Sequence, residues 1–358
     1  MKRITALILS FVMMLVSLCA CGLNQEETTE GLNDVPQSAI TFDVDPNYQY
    51  GNRQKQYSGN FYQLGNDVVF SYDNGTRTYL YGYNLETGEV WRYCPDPDCE
   101  HKPCQSDIPY YYLEVYDGKL FGTKNTQPTR LNVIDGTQVE AVTNEKVTYS
   151  FHYDGKLYVQ TANGDLAVLE EGQDKPQVFA KACSFTGSAV FGPYLYTITD
   201  YYTARNIVRM DLTADAPSPE TLVQNAIGMA DGQHIYYVDC ETYQLYRCNM
   251  DGSNPQLLLE QQVVPVSINF DNEYFYYRPT TPIMDQGEDA FDIYRFPKSD
   301  PSKIEKFVTL DVPVYQVFTV PGAGKLFVVV LSGTNNKGAD IYVMDTDGSN
   351  PTRLEIPE

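Results

Sequence analysis

The residues with the clearest capacity for chemistry lie together in one short segment. They are Cys94, Cys99, His101 and Cys104, with the spacing C-x4-C-x-H-x2-C. Three thiolates and one imidazole make a complete tetrahedral ligand set for Zn²⁺. With all four positions filled by protein, such an ion is structural: it would hold the loop in place and would not activate water.

The same cysteines also allow a redox alternative. In an exported chain, Cys94 and Cys99, or Cys99 and Cys104, could form a disulfide that leaves one thiol over, and free or reactive thiols are the third alternative. Elsewhere, Cys240 and Cys248 lie on consecutive strands around one turn. Because they are not directly opposed across that turn, we expect both to remain free thiols.

Catalytic signatures are sparse in the rest of the chain. Apart from His101, the histidines are His152 and His234, both in strand contexts where a packed or hydrogen-bonded imidazole is the expected role. No Gly-x-Ser-x-Gly motif supports a serine hydrolase. A glycosidase needs two carboxylates at a set separation, and the 47 acidic residues are too scattered to identify such a pair. The sequence therefore favours a non-catalytic role, and we predict no catalytic residues.

The first residues predict export. Lys2 and Arg3 form a basic start, and the apolar run from Ile4 to Leu18 is too short for a committed membrane span, which is typical of a signal peptide over residues 1–20. The run ends in Leu18-Cys19-Ala20-Cys21-Gly22, which resembles a bacterial lipobox. By that resemblance Cys21 is the lipidated first residue of the mature chain, carrying acyl chains of the palmitate type. Two chains suffice to anchor a protein on the extracytoplasmic face of the cell membrane.

Charge narrows the range of partners. The chain has 25 basic and 47 acidic residues, a net charge of −22, and loss of two basic residues with the signal would make it about −24. Such a surface disfavours nucleic acid and repels anionic lipid headgroups. Membrane attachment is therefore expected through the lipid alone. Residues 21–56 are hydrophilic and predict a flexible tether, in which Ala39–Val44 could form a strand that pairs with the last blade or a stray strand.

A repeated phrase organises the rest of the chain, residues 57–358. It consists of a turn with Asp-Gly, Asn-Gly or a related pair, followed by aromatic and β-branched residues. Seven copies give an average of about 43 residues each, the length of a four-stranded propeller blade. The sequence therefore predicts an all-β propeller of seven four-stranded blades. The copies are anchored at Gly65, Gly118, Gly155, Gly192, Gly232, Asn272 and Gly322.

The third copy predicts the strand pattern of a blade in detail. Its expected strands are Val147–Tyr153, Lys156–Thr161, Leu166–Glu170 and Gln177–Ala180, each separated from the next by a polar turn. The chain also has 30 tyrosines, many in adjacent pairs. Neighbouring residues on a strand face opposite sides, so we expect these pairs to serve mainly the cores between blades.

Two units contain the whole pattern, Leu245–Leu257 with Met-Asp-Gly-Ser-Asn-Pro and Ile341–Leu354 with Met-Asp-Thr-Asp-Gly-Ser-Asn-Pro. They resemble the TolB-like repeats of bacterial β-propellers. With its lipobox, the chain resembles propeller lipoproteins of unknown function from Firmicutes. The segment Asp345–Ser349 lacks the final acid of an EF-hand, so we expect a turn there and not a calcium loop.

The expected function follows from these features together. The chain predicts a lipid-anchored module that binds, or is a scaffold for, a protein, peptide or glycan at the cell envelope. The alternative is an extracellular polysaccharide-active enzyme, a glycosidase or lyase, that uses carboxylates at the mouth of the propeller channel. The sequence does not identify the ligand-binding residues.

Overall fold

The computed structural model describes residues 42, 61–73, 78–92, 110–124, 127–131, 138–143, 146–170, 173, 175–181, 185–199, 205–279, 288–331 and 339–357. The chain divides into two compact units, residues 1–38 and 39–358, and every described residue belongs to the second. The regular structure of these residues is β-strand apart from three short 3-10 helices, Pro265–Ser267, Glu288–Phe291 and Pro321–Ala323.

The described strands form seven four-stranded sheets, and in each sheet the strands lie in chain order. We call these sheets blades 1 to 7. Blade 1 contains β1 (Tyr62–Leu64), β2 (Asp67–Asp73), β3 (Thr78–Asn84) and β4 (Val90–Arg92). Blade 2 contains β5 (Tyr110–Tyr116), β6 (Lys119–Lys124), β7 (Gln127–Leu131) and β8 (Gln138–Ala141). Blade 3 contains β9 (Val147–Tyr153), β10 (Lys156–Thr161), β11 (Leu166–Leu169) and β12 (Gln177–Ala180).

The remaining blades follow the same plan. Blade 4 contains β13 (Phe185–Phe191), β14 (Tyr194–Thr199), β15 (Asn206–Asp211) and β16 (Glu220–Val223). Blade 5 contains β17 (Ala226–Ala230), β18 (His234–Asp239), β19 (Gln244–Asn249) and β20 (Gln256–Gln262). Blade 6 contains β21 (Asn269–Phe270), β22 (Tyr274–Tyr277), β23 (Asp292–Pro297) and β24 (Glu305–Thr309). Blade 7 contains β25 (Val314–Val320), β26 (Lys325–Leu331), β27 (Ala339–Asp345) and β28 (Thr352–Arg353).

Short polar side chains close the turns between strands. In blade 5, Asp231 Oδ1 accepts the backbone N–H groups of Gln233 and His234, at 2.9 and 2.7 Å. Gly232, which directly follows Asp231, has φ +87°, which a residue without Cβ adopts at little cost. In blade 6, Asp271 Oδ1 accepts the N–H groups two and three residues later in the same way. The repeated aspartates are therefore turn residues, which accounts for much of the self-similarity of the sequence.

The strand prediction for blade 3 agrees closely with the structure. Three of its strands have the predicted bounds, and β11 ends one residue earlier than predicted. The segment from Asp345 to Ser349 is a turn, as predicted: the Gly348 N–H donates to the Asp345 carbonyl at 2.9 Å. Local sequence was sufficient here because turn residues and strand alternation agree with each other.

Consecutive blades pack face to face, and the last packs on the first. Buried hydrophobic clusters join blades 1 and 2, 3 and 4, 4 and 5, 5 and 6, 6 and 7, and 7 and 1. Blades 2 and 3 meet where the His152 ring lies between Tyr116 and Phe121, with centroid distances of 4.7 and 4.2 Å. The prediction of an all-β propeller built from four-stranded blades is confirmed.

The paired tyrosines are core residues, as predicted. Tyr236 packs in the cluster between blades 5 and 6, whereas its neighbour Tyr237 packs in the cluster between blades 4 and 5. Tyr276 and Tyr277 likewise face opposite sides of blade 6, and both are fully buried. The side chains of Tyr110–Tyr112 and residues 201–202 lie outside the described part of the structure.

Phe42 is the one described residue of the predicted strand Ala39–Val44. Its N–H donates to the Gly232 carbonyl at 2.8 Å, and its ring stacks on Phe191 at 6.1 Å. Phe42 therefore lies against blades 4 and 5, and for this residue the expected pairing with the last blade is wrong.

The two cysteines of blade 5 are free thiols, as predicted. Cys248 lies opposite Ile235 on β18, so the register separates it from Cys240, which follows the end of that strand. Burial raises the pKa of the Cys248 thiol to about 12. Cys248 is thus a packing residue with little thiolate character at neutral pH.

Candidate functional site

The residues predicted to bind metal or lipid, Cys94, Cys99, His101, Cys104 and Cys21, lie outside the described residues. Within the described ranges, no group of three or more His, Cys, Asp and Glu side chains could hold a metal ion. None of the described helices is long and apolar enough to cross a membrane. The zinc and lipid sites therefore remain predictions.

Both described histidines have the packing roles expected from sequence. Glu114 of blade 2 accepts the His152 backbone N–H at 2.9 Å, and its other oxygen lies 2.8 Å from His152 Nδ1. His234 lies against Tyr236, with ring centroids 6.1 Å apart. Burial lowers the pKa of His234, and the nearby cations Arg247 and Lys298 act in the same direction. His152 thus joins two blades, and His234 contributes to the packing of blade 5.

A polar set crosses three consecutive blades at the same position, and sequence analysis did not identify it. In each of these blades a tyrosine on the second strand lies opposite an arginine on the third, which lies opposite a Glu or Gln on the fourth. We call each such row of three residues an arginine rung. The rungs are Tyr196–Arg209–Glu220 in blade 4, Tyr236–Arg247–Gln256 in blade 5 and Tyr276–Arg295–Glu305 in blade 6.

The arginine of a rung fills space between two blades. The Arg295 guanidinium lies over the rings of Tyr274 and Phe307, at 4.2 and 4.3 Å, and donates to Glu305 at 2.6 Å. It also donates to the Thr346 carbonyl of blade 7 at 2.9 Å. Arg247 reaches the next blade in the same manner, by donating to the Lys298 carbonyl at 3.4 Å. Each of these arginines therefore connects its own blade to the turn after the third strand of the next.

Blade 7 has no rung. The three positions are occupied by Phe327, Val343 and Thr352, in the same strand register. Phe327 and Val343 are buried in the cluster between blades 7 and 1, so the apolar part of the interface is intact. What is missing is the cation that would cross to blade 1, together with the Glu or Gln that would hold it.

A groove of about 590 Å³ opens at this place, which is within the usual range for small-ligand sites. One wall belongs to blade 1, and the other belongs to blade 7 and includes Val343 itself. The groove therefore lies where the arginine of a rung would be. Its lining residues are Tyr83, Gly88, Glu89, Val90, Lys325, Val343, Met344, Asp345, Asn350, Thr352, Arg353, Leu354 and Glu355.

The charges of the groove are partly paired. Lys325 contacts Asp345 on its own blade, and hydrogen bonds from Lys325 and Asn350 hold the pKa of Asp345 below its usual value. Arg353 is mostly exposed and pairs with Asp340 at 2.8 Å, outside the lining. Both cations are thus held by carboxylates of blade 7. Glu89 and Glu355 are exposed at the two sides and form no ion pair with another described residue.

Two other blades lack an arginine at the rung position, and there aromatic rings fill the interface. In blade 1 the residue is Gly82, and the Trp91 indole lies so close that an added Cβ would be 2.4 Å from it. In blade 3 the residue is Val168, and Tyr158 and Phe179 pack beside it with ring centroids 5.7 Å apart. In blade 7 the outer strand has only two residues, Thr352 and Arg353, and neither carries a ring.

The arginine rung corresponds to a pattern in the sequence, an arginine two residues after an aliphatic residue of the third strand. The third strands of blades 4, 5 and 6 contain Ile207-Val-Arg209, Leu245-Tyr-Arg247 and Ile293-Tyr-Arg295, and the third strand of blade 7 contains Ile341-Tyr-Val343. Aligned on the aliphatic residue, the arginine recurs three times and is then replaced. Sequence alone does not tell whether such an arginine faces solvent or the next blade, because that depends on the ring.

No protein-family model and no curated protein sequence matches this chain. Among solved structures, a puromycin-hydrolyzing peptidase of Mycobacterium tuberculosis has a TM-score of 0.57 and 12% identity over 89% of this chain and 55% of that one. A chain of the mitotic checkpoint complex has a TM-score of 0.51 and 11% identity over 86% and 96% of the two chains. A protein assigned as TolB from Agrobacterium tumefaciens has 16% identity over 56% and 76%, with a TM-score of 0.40.

At 11–12% identity, the likenesses to the peptidase and to the checkpoint-complex chain establish the fold alone. The peptidase is nearly twice the length that this chain covers, so its activity does not transfer with the propeller. The chain is a β-propeller similar in architecture to proteins of unrelated activity, and its function has to be inferred from its own surface.

Proposed function

We propose that this protein is a lipid-anchored, extracytoplasmic β-propeller that binds a protein, peptide or glycan partner at the cell envelope. The observation that carries the proposal is the groove between blades 7 and 1, because arginine or aromatic side chains fill the corresponding space beside blades 1, 3, 5 and 6. Concave sites with a few fixed charges on a rigid scaffold are the usual form of a binding site.

The binding role is tested by crosslinking in native cells followed by capture of the wild-type protein and of a variant with a blocked groove. Val343→Arg is the blocked variant, because Arg247 and Arg295 reach the next blade from the same strand position. Val178→Arg is the matched control, since it adds the same charge on an exposed position of β12. We expect a partner that crosslinks to the wild type and the control and is lost from the blocked variant. A panel of glycans incubated with the same proteins identifies turnover, which would establish the enzyme alternative instead.

The anchoring part rests on the lipobox-like sequence at Cys21. We expect labelled palmitate to enter the wild-type protein and to be absent after Cys21→Ala, with the variant released from the membrane fraction. Recovery of unmodified Cys21 from a purely secreted protein would remove this part of the proposal without affecting the groove.

The metal part rests on the spacing of Cys94, Cys99, His101 and Cys104. We propose a structural zinc ion bound by these four residues. Elemental analysis after anaerobic purification is expected to give one equivalent of zinc, lost on replacing both Cys99 and His101 with Ala. Less than half an equivalent in the wild type would favour the disulfide or free-thiol alternative.

A further inference from the structure

We infer that the groove between blades 7 and 1 recognises a guanidinium group, presented as an arginine side chain by a partner polypeptide. The inference deepens the proposed binding function and rests on it. The ring itself shows what fits between two of its blades at this position. Arg247 and Arg295 reach from the third strand of their own blade to the next blade, whereas in blade 7 Val343 has the same strand position and the space is open.

The internal arginines show which contacts such a ligand would use. Arg295 combines aromatic ring faces, one carboxylate and one backbone carbonyl after the third strand of the next blade. The groove offers a counterpart of the carboxylate and part of one ring, since Tyr83 lines it but is 7% exposed and packs against Phe327. Glu89 and Glu355 supply carboxylates.

Charge favours a cation over an anion in this groove. Lys325 and Arg353 are the two cations of the lining, and both are already paired with aspartates of blade 7. The lining contains three acids, of which Asp345 is the one bound to Lys325. Glu89 and Glu355 are therefore left to attract a basic group. The overall charge of −22 acts in the same direction by increasing the encounter rate with a basic partner.

The direct test uses fluorescent Gly/Ser peptides that differ only in one central residue. The central residue is arginine, citrulline or lysine. Citrulline has nearly the shape of arginine without its charge, and lysine has the charge without the planar fork. We expect saturable binding of the arginine peptide, at least about tenfold weaker binding of citrulline and about fivefold weaker binding of lysine. Equal binding of all three peptides, or no binding of the arginine peptide, would overturn the inference.

Variants locate the binding in the groove. Val343→Arg supplies an internal guanidinium, so we expect the arginine peptide to bind at least about tenfold more weakly, whereas Val178→Arg leaves binding unchanged. In case Val343→Arg does not fold, the exposed pair Glu89→Lys and Glu355→Lys reverses the charge of the groove and is expected to have an effect of similar size. Wild-type affinity in both variants would overturn the inference.

The inference and the proposed function fail in different ways. If crosslinking captures a partner that is lost with Val343→Arg but the wild-type protein does not distinguish arginine from citrulline, the groove binds something other than a guanidinium. If the arginine peptide binds as expected and no cellular partner is captured, the chemistry of the site stands and the envelope role does not. Preference for an acidic peptide would overturn the inference, since it would mean that Lys325 or Arg353 leaves its aspartate to bind the ligand.

Discussion

The interface between blades 6 and 7 and the interface between blades 7 and 1 share an apolar core and differ at the rung positions, which are Tyr276, Arg295 and Glu305 in blade 6 and Phe327, Val343 and Thr352 in blade 7. Both have a buried apolar cluster along the second and third strands. Beside its cluster, Arg295 bridges blades 6 and 7, whereas Val343 belongs to its cluster and lines a groove between blades 7 and 1. The comparison indicates that the apolar cluster is sufficient to hold two blades together, and that the arginine adds polar contacts between them. Where it is absent, the surface becomes available to another molecule.

The largest expected effect tests whether the two kinds of interface share the same apolar foundation. Phe275 lies in the core between blades 5 and 6, which has a rung, and Phe327 lies in the core between blades 7 and 1, which has none. Both are fully buried, so replacing either with Ala is expected to lower the free energy of unfolding by about 3–5 kcal/mol. Urea unfolding measures both. A much smaller loss for Phe327→Ala would mean that the interface between blades 7 and 1 is less tightly packed.

The next effect concerns the polar contacts of Arg295. Arg295→Met keeps an apolar side chain of similar length but removes the pair with Glu305 and the hydrogen bond to the Thr346 carbonyl. We expect a loss of about 1–3 kcal/mol, because these contacts are half-buried and involve a charged donor. Arg353→Met is the matched control, since Arg353 is 61% exposed and its ion pair is expected to contribute less than about 1 kcal/mol. Equal losses would show that burial of the rung adds nothing.

A stabilising substitution tests the same comparison by adding a rung to blade 7. Val343 lies opposite Thr352, as Arg295 lies opposite Glu305. We expect Thr352→Glu to stabilise the protein in the Val343→Arg background more than in the wild type, with a coupling free energy of about 0.5–1 kcal/mol in a double-mutant cycle. Additivity within error would mean that the new arginine does not occupy the rung position.

The smallest effect is a pH dependence in the groove. The Lys325 hydrogen bond lowers the pKa of Asp345, so the pair contributes fully above the unfolded Asp value of about 3.9 and is lost as the pH falls through the lower folded pKa. The stability difference between wild type and Lys325→Met should therefore be constant from pH 7 to about 5, below about 1 kcal/mol, and shrink below pH 4. Lys119→Met removes the more exposed pair with Asp117 and serves as the control. A difference that grows in acid would contradict the assignment.

The repeats made the architecture predictable because each one specifies its own turns and strands. Asp231 and Asp271 close turns with their own backbone neighbours, and alternating strand residues such as Tyr236 and Tyr237 assign one side chain to each face. These are local interactions, and their period is visible without a structure. Four-stranded blades, the bounds of β9, β10 and β12 and the free thiols of blade 5 followed from this information.

The groove was decided by tertiary structure alone. Val343 is an ordinary strand residue in the sequence, and it lines an opening only because blade 7 packs on blade 1, whose residues are more than 250 positions away along the chain. The position of Phe42 against blades 4 and 5 was hidden for the same reason. A turn or a strand is specified by neighbours in sequence, whereas a gap between two blades is specified by which side chains the closed ring brings together and which one is missing.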